Sequence, residues 1–252
     1  GDFIMMTETE RSALVERLHA VQNRIAQAAR AAGRDPADIH LVAATKMNDA
    51  ERVRTAIQAG LTACGENRVQ ELLQKYEQGA YEGADLQFIG TLQANKVKYL
   101  IGKVSMIQSV SSLKLAQCID KEAKKHAVCQ DILLEINIGR EAAKSGFFVE
   151  DLGTALEALS SLHSIRIRGL MAIPPIPTGM DKSSRYFAEM HQLFVDISAK
   201  KYDNVSMDYL SMGMTADFEE AIACGANIVR IGTAIFGKRP YPMNADPTRE
   251  IQ

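Results

Sequence analysis

Eight short β-prone apolar runs, most of them followed by a stretch of helical periodicity, constrain this chain more than any other feature. The runs lie at 39–46, 62–66, 86–91, 106–110, 131–138, 165–173, 209–212 and 227–235. Helices are expected between them over 49–59, from Asn67 to Tyr76, and over 112–126, 149–162, 181–200 and 215–224, with a short polar helix or loop at 93–102. Strands alternating with helices form parallel sheets, and eight such units close into a (β/α)8 barrel. A doubly wound open sheet is the competing α/β arrangement. Ahead of the first strand, Thr7 to Ala32 reads as one more amphipathic helix. Thr7 and Glu10 form a capping box at its start, and Gly33 stops it. No linker interrupts 7–241, so one domain is expected there. Residues 1–6 read as a tag remnant or disordered start, and 242–252 as a polar C-terminal tail.

Charge and composition exclude several function classes. The net charge of −2 gives no pull toward a nucleic acid. No apolar run reaches the ~20 residues of a membrane span, and no signal peptide precedes the first helix. Cys64, Cys118, Cys129 and Cys224 are scattered without a Cys-x-x-Cys pair, which fits free thiols in the cytoplasm. The five histidines lack metal-ligand spacing, so no metal site is expected.

The candidate chemistry lies at the C-terminal strand ends, where barrels of this kind carry their sites. The first run, Ile39 to Lys46, delivers an amine to its own end. The second ends in Glu66-Asn67, the third in Gly90-Thr91, the sixth in Met171-Ala172, and the seventh in Ser211-Met-Gly213. The eighth carries Arg230 and then Gly232-Thr233. Glycines, amide N–H groups and hydroxyls on the last two strands suit a phosphate dianion. The amine of strand one is their neighbour once the ring closes. A ligand with a carbonyl at one end and a phosphate at the other fits between them, and pyridoxal 5′-phosphate is such a ligand. Arg230 would face its ring nitrogen and, having only donors, leave that nitrogen unprotonated. Each residue also has a plainer reading. Lys46 could be a solvated loop lysine and Gly232-Thr233 a tight strand end. Arg230 could pair with Glu66 or Asp208, Met171, Met212 and Met214 could fill core, and Glu141 to Gly146 could be a solvated turn. Their coincidence on one rim favours a site.

Seven segments together resemble the pyridoxal phosphate homeostasis proteins over about Thr7 to Tyr241. They are Val42-Ala-Ala-Thr-Lys46, Gly65-Glu-Asn-Arg-Val-Gln-Glu71, Phe88-Ile-Gly-Thr-Leu-Gln-Ala-Asn-Lys96, Lys144-Ser-Gly146, Gly169-Leu-Met171, Leu210-Ser-Met-Gly-Met214 and Val229-Arg-Ile-Gly-Thr-Ala-Ile-Phe-Gly237. The resemblance implies a barrel like the N-terminal domain of alanine racemase, without that enzyme's C-terminal β-domain. It implies a pyridoxal phosphate aldimine on Lys46 and phosphate contacts from Ser211, Gly232 and Thr233. It also implies Arg230 at the pyridine nitrogen and Asn67 near the ring. Thr91 departs from the family's usual histidine, Cys64 from a common phenylalanine and Thr45 from a common serine. The implied function is intracellular vitamin B6 homeostasis, as a carrier or buffer rather than a catalyst. Expected partners are the cofactor and apo-enzymes that need it, with no nucleic acid or membrane, and the expected state is a monomer. The alternatives are a racemase-like enzyme of low activity, a Schiff-base aldolase using Glu66 as acid–base partner, and a barrel that acts only through protein contacts.

Overall fold

The computed structural model describes residues 5–177 and 183–238. The expected tail at 242–252, the expected leading remnant up to residue 4 and the start of the 181–200 helix lie outside the described residues. Eight strands form a closed parallel barrel in chain order: β1 (His40–Ala44), β2 (Ala63–Glu66), β3 (Asp85–Phe88), β4 (Met106–Val110), β5 (Gln130–Glu135), β6 (Ile165–Met171), β7 (Val205–Ser211) and β8 (Ile228–Ile231). The open sheet is thereby excluded. β1 and β8 seal the ring, with Val42 beside Arg230 and Ala43 beside Ile231.

The helix before the barrel is α1 (Glu8–Ala31), capped by the Thr7 side chain, which accepts from the Glu10 N–H. The helices after the strands are α2 (Ala50–Gln58), α3 (Val69–Glu77), α4 (Val97–Leu100), α5 (Leu113–Lys125), α6 (Leu152–Leu159), α7 (Ser183–Ser198), α8 (Phe218–Ala223) and α9 (Thr233–Phe236). Asp49 caps α2 and Ser112 caps α5 through their side chains.

Several boundaries differ from the sequence expectation, and three of them bear on the site. The eighth run does not stay extended to Ile235: β8 ends at Ile231, and Thr233–Phe236 turns into α9. The β7 strand starts at Val205, four residues before the expected 209, because its first half alternates between exposed and half-buried positions and lacks a continuous apolar run. The third helix starts at Val69 with Arg68 as cap, leaving Asn67 in the loop.

Two apolar compartments follow from the alternation of side chains along each strand. Val42, Ala63, Ile89, Met106, Leu133, Met171 and Ile228 fill the barrel interior. Ala43, Phe88, Ile107, Ile132 and Leu210 point the other way and meet the helices. Leu14, Leu18, Val21 and Ile25 of α1 join that outer layer. α1 lies against α8 and α9: Arg17 Nε donates to the Ile235 carbonyl at 2.7 Å, and Arg34, just past its end, donates to the Ile222 and Ala226 carbonyls.

Candidate functional site

Lys46 sits two residues beyond β1, exposed at the C-terminal mouth. Its amine makes no hydrogen bond or ion pair among the described residues. The residue before it, Thr45, is fully buried. Because β1 and β8 are paired, the segment after Ala44 runs beside the segment after Ile231. Lys46 and Gly232-Thr233 are thus neighbours on the rim, as the closed ring requires. Gly232 is half-buried, and Thr233 is exposed as the first residue of α9. A short extra helix after strand eight is where barrels of this class commonly hold phosphate. On the adjoining strand end Gly213 has φ +100, and a Cβ there would lie 2.6 Å from that of Ala221. Only glycine makes this turn, and it packs the loop after β7 onto α8.

Arg230 is 3% exposed and shares the inward face with Ile228. Its Nη1 donates to Ser211 Oγ at 2.5 Å and its Nη2 to the Ala172 carbonyl at 2.9 Å. It does not pair with Glu66 or Asp208. Glu66 faces the helix layer and pairs with Lys75, and Asp208 pairs with Arg168 at the opposite mouth. Ser211 Oγ donates to Gln108 Oε1 at 2.6 Å, and Gln108 Nε2 donates to Gln87 Oε1 at 2.7 Å. Gln87 Nε2 reaches Asp85 Oδ2 at 2.9 Å. A polar chain thus crosses the barrel interior, and the Ser211 hydroxyl is spent within it. Burial lowers the Arg230 guanidinium to about 10, against the opposing fields of Glu135 and Asp217. It stays cationic at neutral pH.

Asn67 lies in the loop after β2, and its Oδ1 is buried without a partner among the described residues. Such an acceptor is costly unless something donates to it. Its backbone crosses Gly90 so closely that a Cβ at 90 would lie 2.1 Å from the Asn67 carbonyl oxygen. The glycine after β3 therefore sets how far Asn67 reaches over the mouth. Thr91, next along, is exposed.

The plainer reading holds for Met171 and Met212, both fully buried, whereas Met214 is exposed. The loop after β5 is a hydrogen-bonded turn whose residues 142–145 are exposed to solvent, as the plainer reading has it. Asn137 Nδ2 donates to the Glu141 carbonyl at 2.8 Å, and Ser145 Oγ donates to Glu135 Oε2 at 2.8 Å. Glu135 ends β5 on the inward side, two residues past Leu133. Burial raises its carboxyl, opposed by Ser145 and the field of Arg230. Glu135 is absent from the sequence-derived candidates, although alternation from Leu133 assigns it to the interior.

Residues 17–240 match the family model described as "Alanine racemase, N-terminal domain". The chain is 44% identical over 228 residues to the pyridoxal phosphate homeostasis protein of Aquifex aeolicus, covering 90% of this chain and 98% of that one. It is 35% identical over 231 residues to the protein of the same name from Escherichia coli K12, covering 90% and 97%. Among solved structures it is similar to PipY of Synechococcus elongatus with PLP bound (TM-score 0.77, 29% identity, 89% of this chain and 100% of that chain). An alanine racemase from Clostridium difficile shares the fold at 17% identity and TM-score 0.69, with 90% of this chain matching 57% of the racemase. An amine at the end of β1, a buried arginine on β8 and these matches along nearly the whole barrel agree: the chain belongs to the pyridoxal phosphate homeostasis protein family.

Proposed function

We propose that this barrel binds pyridoxal 5′-phosphate at its C-terminal mouth and serves intracellular vitamin B6 homeostasis as a carrier or buffer. The observation that carries this is the Lys46 amine, exposed and unpaired, beside the Gly232-Thr233 turn in a chain of this family. The residues fit the ligand's chemistry: an amine for its aldehyde, a glycine–hydroxyl turn for its phosphate, and the orphaned Asn67 Oδ1 for a polar group on the ring. When bound, the cofactor supplies an electron sink for amino-acid chemistry.

The protein's own groups bind rather than catalyse. Lys46 would hold the cofactor through its aldehyde, the group an unprotonated amine attacks. Gly232 and Thr233 hold phosphate through backbone N–H groups and the Thr233 hydroxyl. Ser211 acts through Arg230, whose position its hydroxyl fixes. Arg230 offers donors only, so it leaves a facing ring nitrogen without a proton and weakens the sink. Glu66 points away into the helix layer, so the aldolase reading loses the acid–base partner it relied on. The protein acts as a monomer in the cytoplasm and passes its cofactor to apo-enzymes. The absorption spectrum before and after borohydride, followed by peptide mass mapping, tests the binding. A visible band abolished by borohydride, with cofactor mass on the Lys46 peptide, is expected. A protein that stays colourless with added cofactor overturns the reading. An amino-acid racemisation rate near that of true racemases overturns the non-catalytic part.

A further inference from the structure

Behind Lys46, on the helix-layer side of the barrel, lies a buried ionic cluster that the binding chemistry does not use. Lys75 of α3 is 5% exposed. Its three donors all have partners: the Thr45 carbonyl at 2.8 Å, Glu66 Oε1 at 3.0 Å and Glu71 Oε2 at 2.7 Å. Glu71 Oε2 also accepts from the Met47 backbone N–H at 2.7 Å. The Thr45 hydroxyl donates to Glu66 Oε1, and its N–H to the Gly65 carbonyl. The residue before Lys46 and the residue after it are therefore tied to one Lys–Glu pair, buried Lys75 and half-buried Glu71. Met47 meanwhile has φ +64, a left-handed backbone that a non-glycine residue keeps only when its surroundings impose it. The Asn48 N–H closes the turn on the Thr45 carbonyl at 3.1 Å.

We propose that Lys75 and Glu71 are positioning residues for Lys46: from behind the barrel they impose the 45–47 turn that presents the amine at the mouth. Neither touches the cofactor. The inference rests on Lys46 being the cofactor-bearing amine, and its test separates the two claims. Cofactor-free protein is titrated with pyridoxal 5′-phosphate by absorbance, and the linked residue is identified by borohydride fixation and peptide mass. Glu71→Ala is expected to weaken binding about tenfold, a change of one decade in Kd. Glu71→Gln keeps an acceptor for the Met47 N–H and stays within about threefold of the unmutated protein. Adding Met47→Gly to Glu71→Ala recovers at least half of the loss, because glycine holds a positive φ unaided. No loss with Glu71→Ala, or a loss that neither variant relieves, overturns the positioning role while Lys46 keeps its own. Unmutated protein that fixes cofactor elsewhere overturns the assignment of Lys46 instead. Should Glu71→Ala not fold, hydrogen exchange in the unmutated protein decides. A protected Met47 amide supports the frame, and one exchanging as fast as an exposed loop amide overturns it.

Discussion

The two mouths of this barrel are built from similar residues and treat them in opposite ways. At the N-terminal mouth Arg168 donates to Asp208 at 2.7 Å and to Asp131 at 2.9 Å, and Arg166 donates to Asp131 at 2.9 Å. Arg168 also lies over the Tyr209 ring, 5.2 Å from its centroid. Charge there is answered by charge. At the C-terminal mouth, among the described residues, Lys46 is unpaired, Asn67 Oδ1 has no donor, and Arg230 donates only to neutral oxygens. Met47, Ile173, Ile176 and Met214 stand exposed on loops around the same rim. Yet cavities of about 630 and 340 Å³ open at the N-terminal mouth, lined in common by His40 and Tyr209. Empty volume follows how a barrel end is closed. The two mouths differ instead in how their polar groups are answered: carboxylates hold the arginines at one, while at the other the Asn67 acceptor lacks a donor among the described residues.

The sharpest break of this contrast compares Lys46→Ala with Arg168→Met. Lys46→Ala should abolish the borohydride-fixed cofactor mass entirely while moving the urea unfolding free energy by less than about 0.5 kcal/mol, as for an exposed residue. Arg168→Met should do the reverse, lowering stability by about 1–3 kcal/mol through lost charged hydrogen bonds while cofactor affinity stays unchanged. Equal effects of both variants on both quantities would erase the distinction between the mouths. Next in size, Arg230→Met should weaken cofactor affinity about tenfold at little or no cost in stability, since a buried cation without a bonded carboxylate gains little over a packed apolar chain. A large stability loss measured by urea titration would put Arg230 with the structural charges instead.

The smallest effect concerns pH. Burial holds the Glu135 and Glu66 carboxyls above their ordinary range. The unfolded chain ionises first, near the ordinary value of about 4.3, so folded stability falls as pH rises from there through the raised folded values. Glu135→Gln should make this decline shallower, without removing the share due to Glu66. Unfolding midpoints taken between pH 4 and 7 check it, and an unchanged slope removes Glu135 from the interior electrostatics.

Much of this could be read from residues in order, and what could not has physical causes. Lys46 stood out because a β-prone run ends on it, and alternation favours a ring of eight units, while the β1–β8 pairing is what excludes the open sheet. Thr233 to Ile235 misled because Thr233 and Ile235 are β-prone like the strand before them, whereas the chain turns into α9 directly after Gly232. Ser211 was legible as a rim hydroxyl but not in its direction, which depends on Gln108, 103 residues away. Glu135 was hidden by an apolar run that continues past the end of its strand to Ile138. The Lys75 frame left no local signal, because its bonds join an α3 residue to a backbone carbonyl 30 positions earlier.

The first helix carries a consequence for synthesis. Its apolar stripe is made before any strand of the barrel, but Arg17's acceptor, the Ile235 carbonyl, follows 218 residues later. At roughly 5–20 residues per second, that partner arrives some 10–40 s after the helix itself. Leu14, Leu18, Val21 and Ile25 spend that interval without the last helices, and β1 spends it without β8. Until β8 emerges, the nascent barrel is therefore an unsealed arc whose apolar α1 stripe lacks part of its cover.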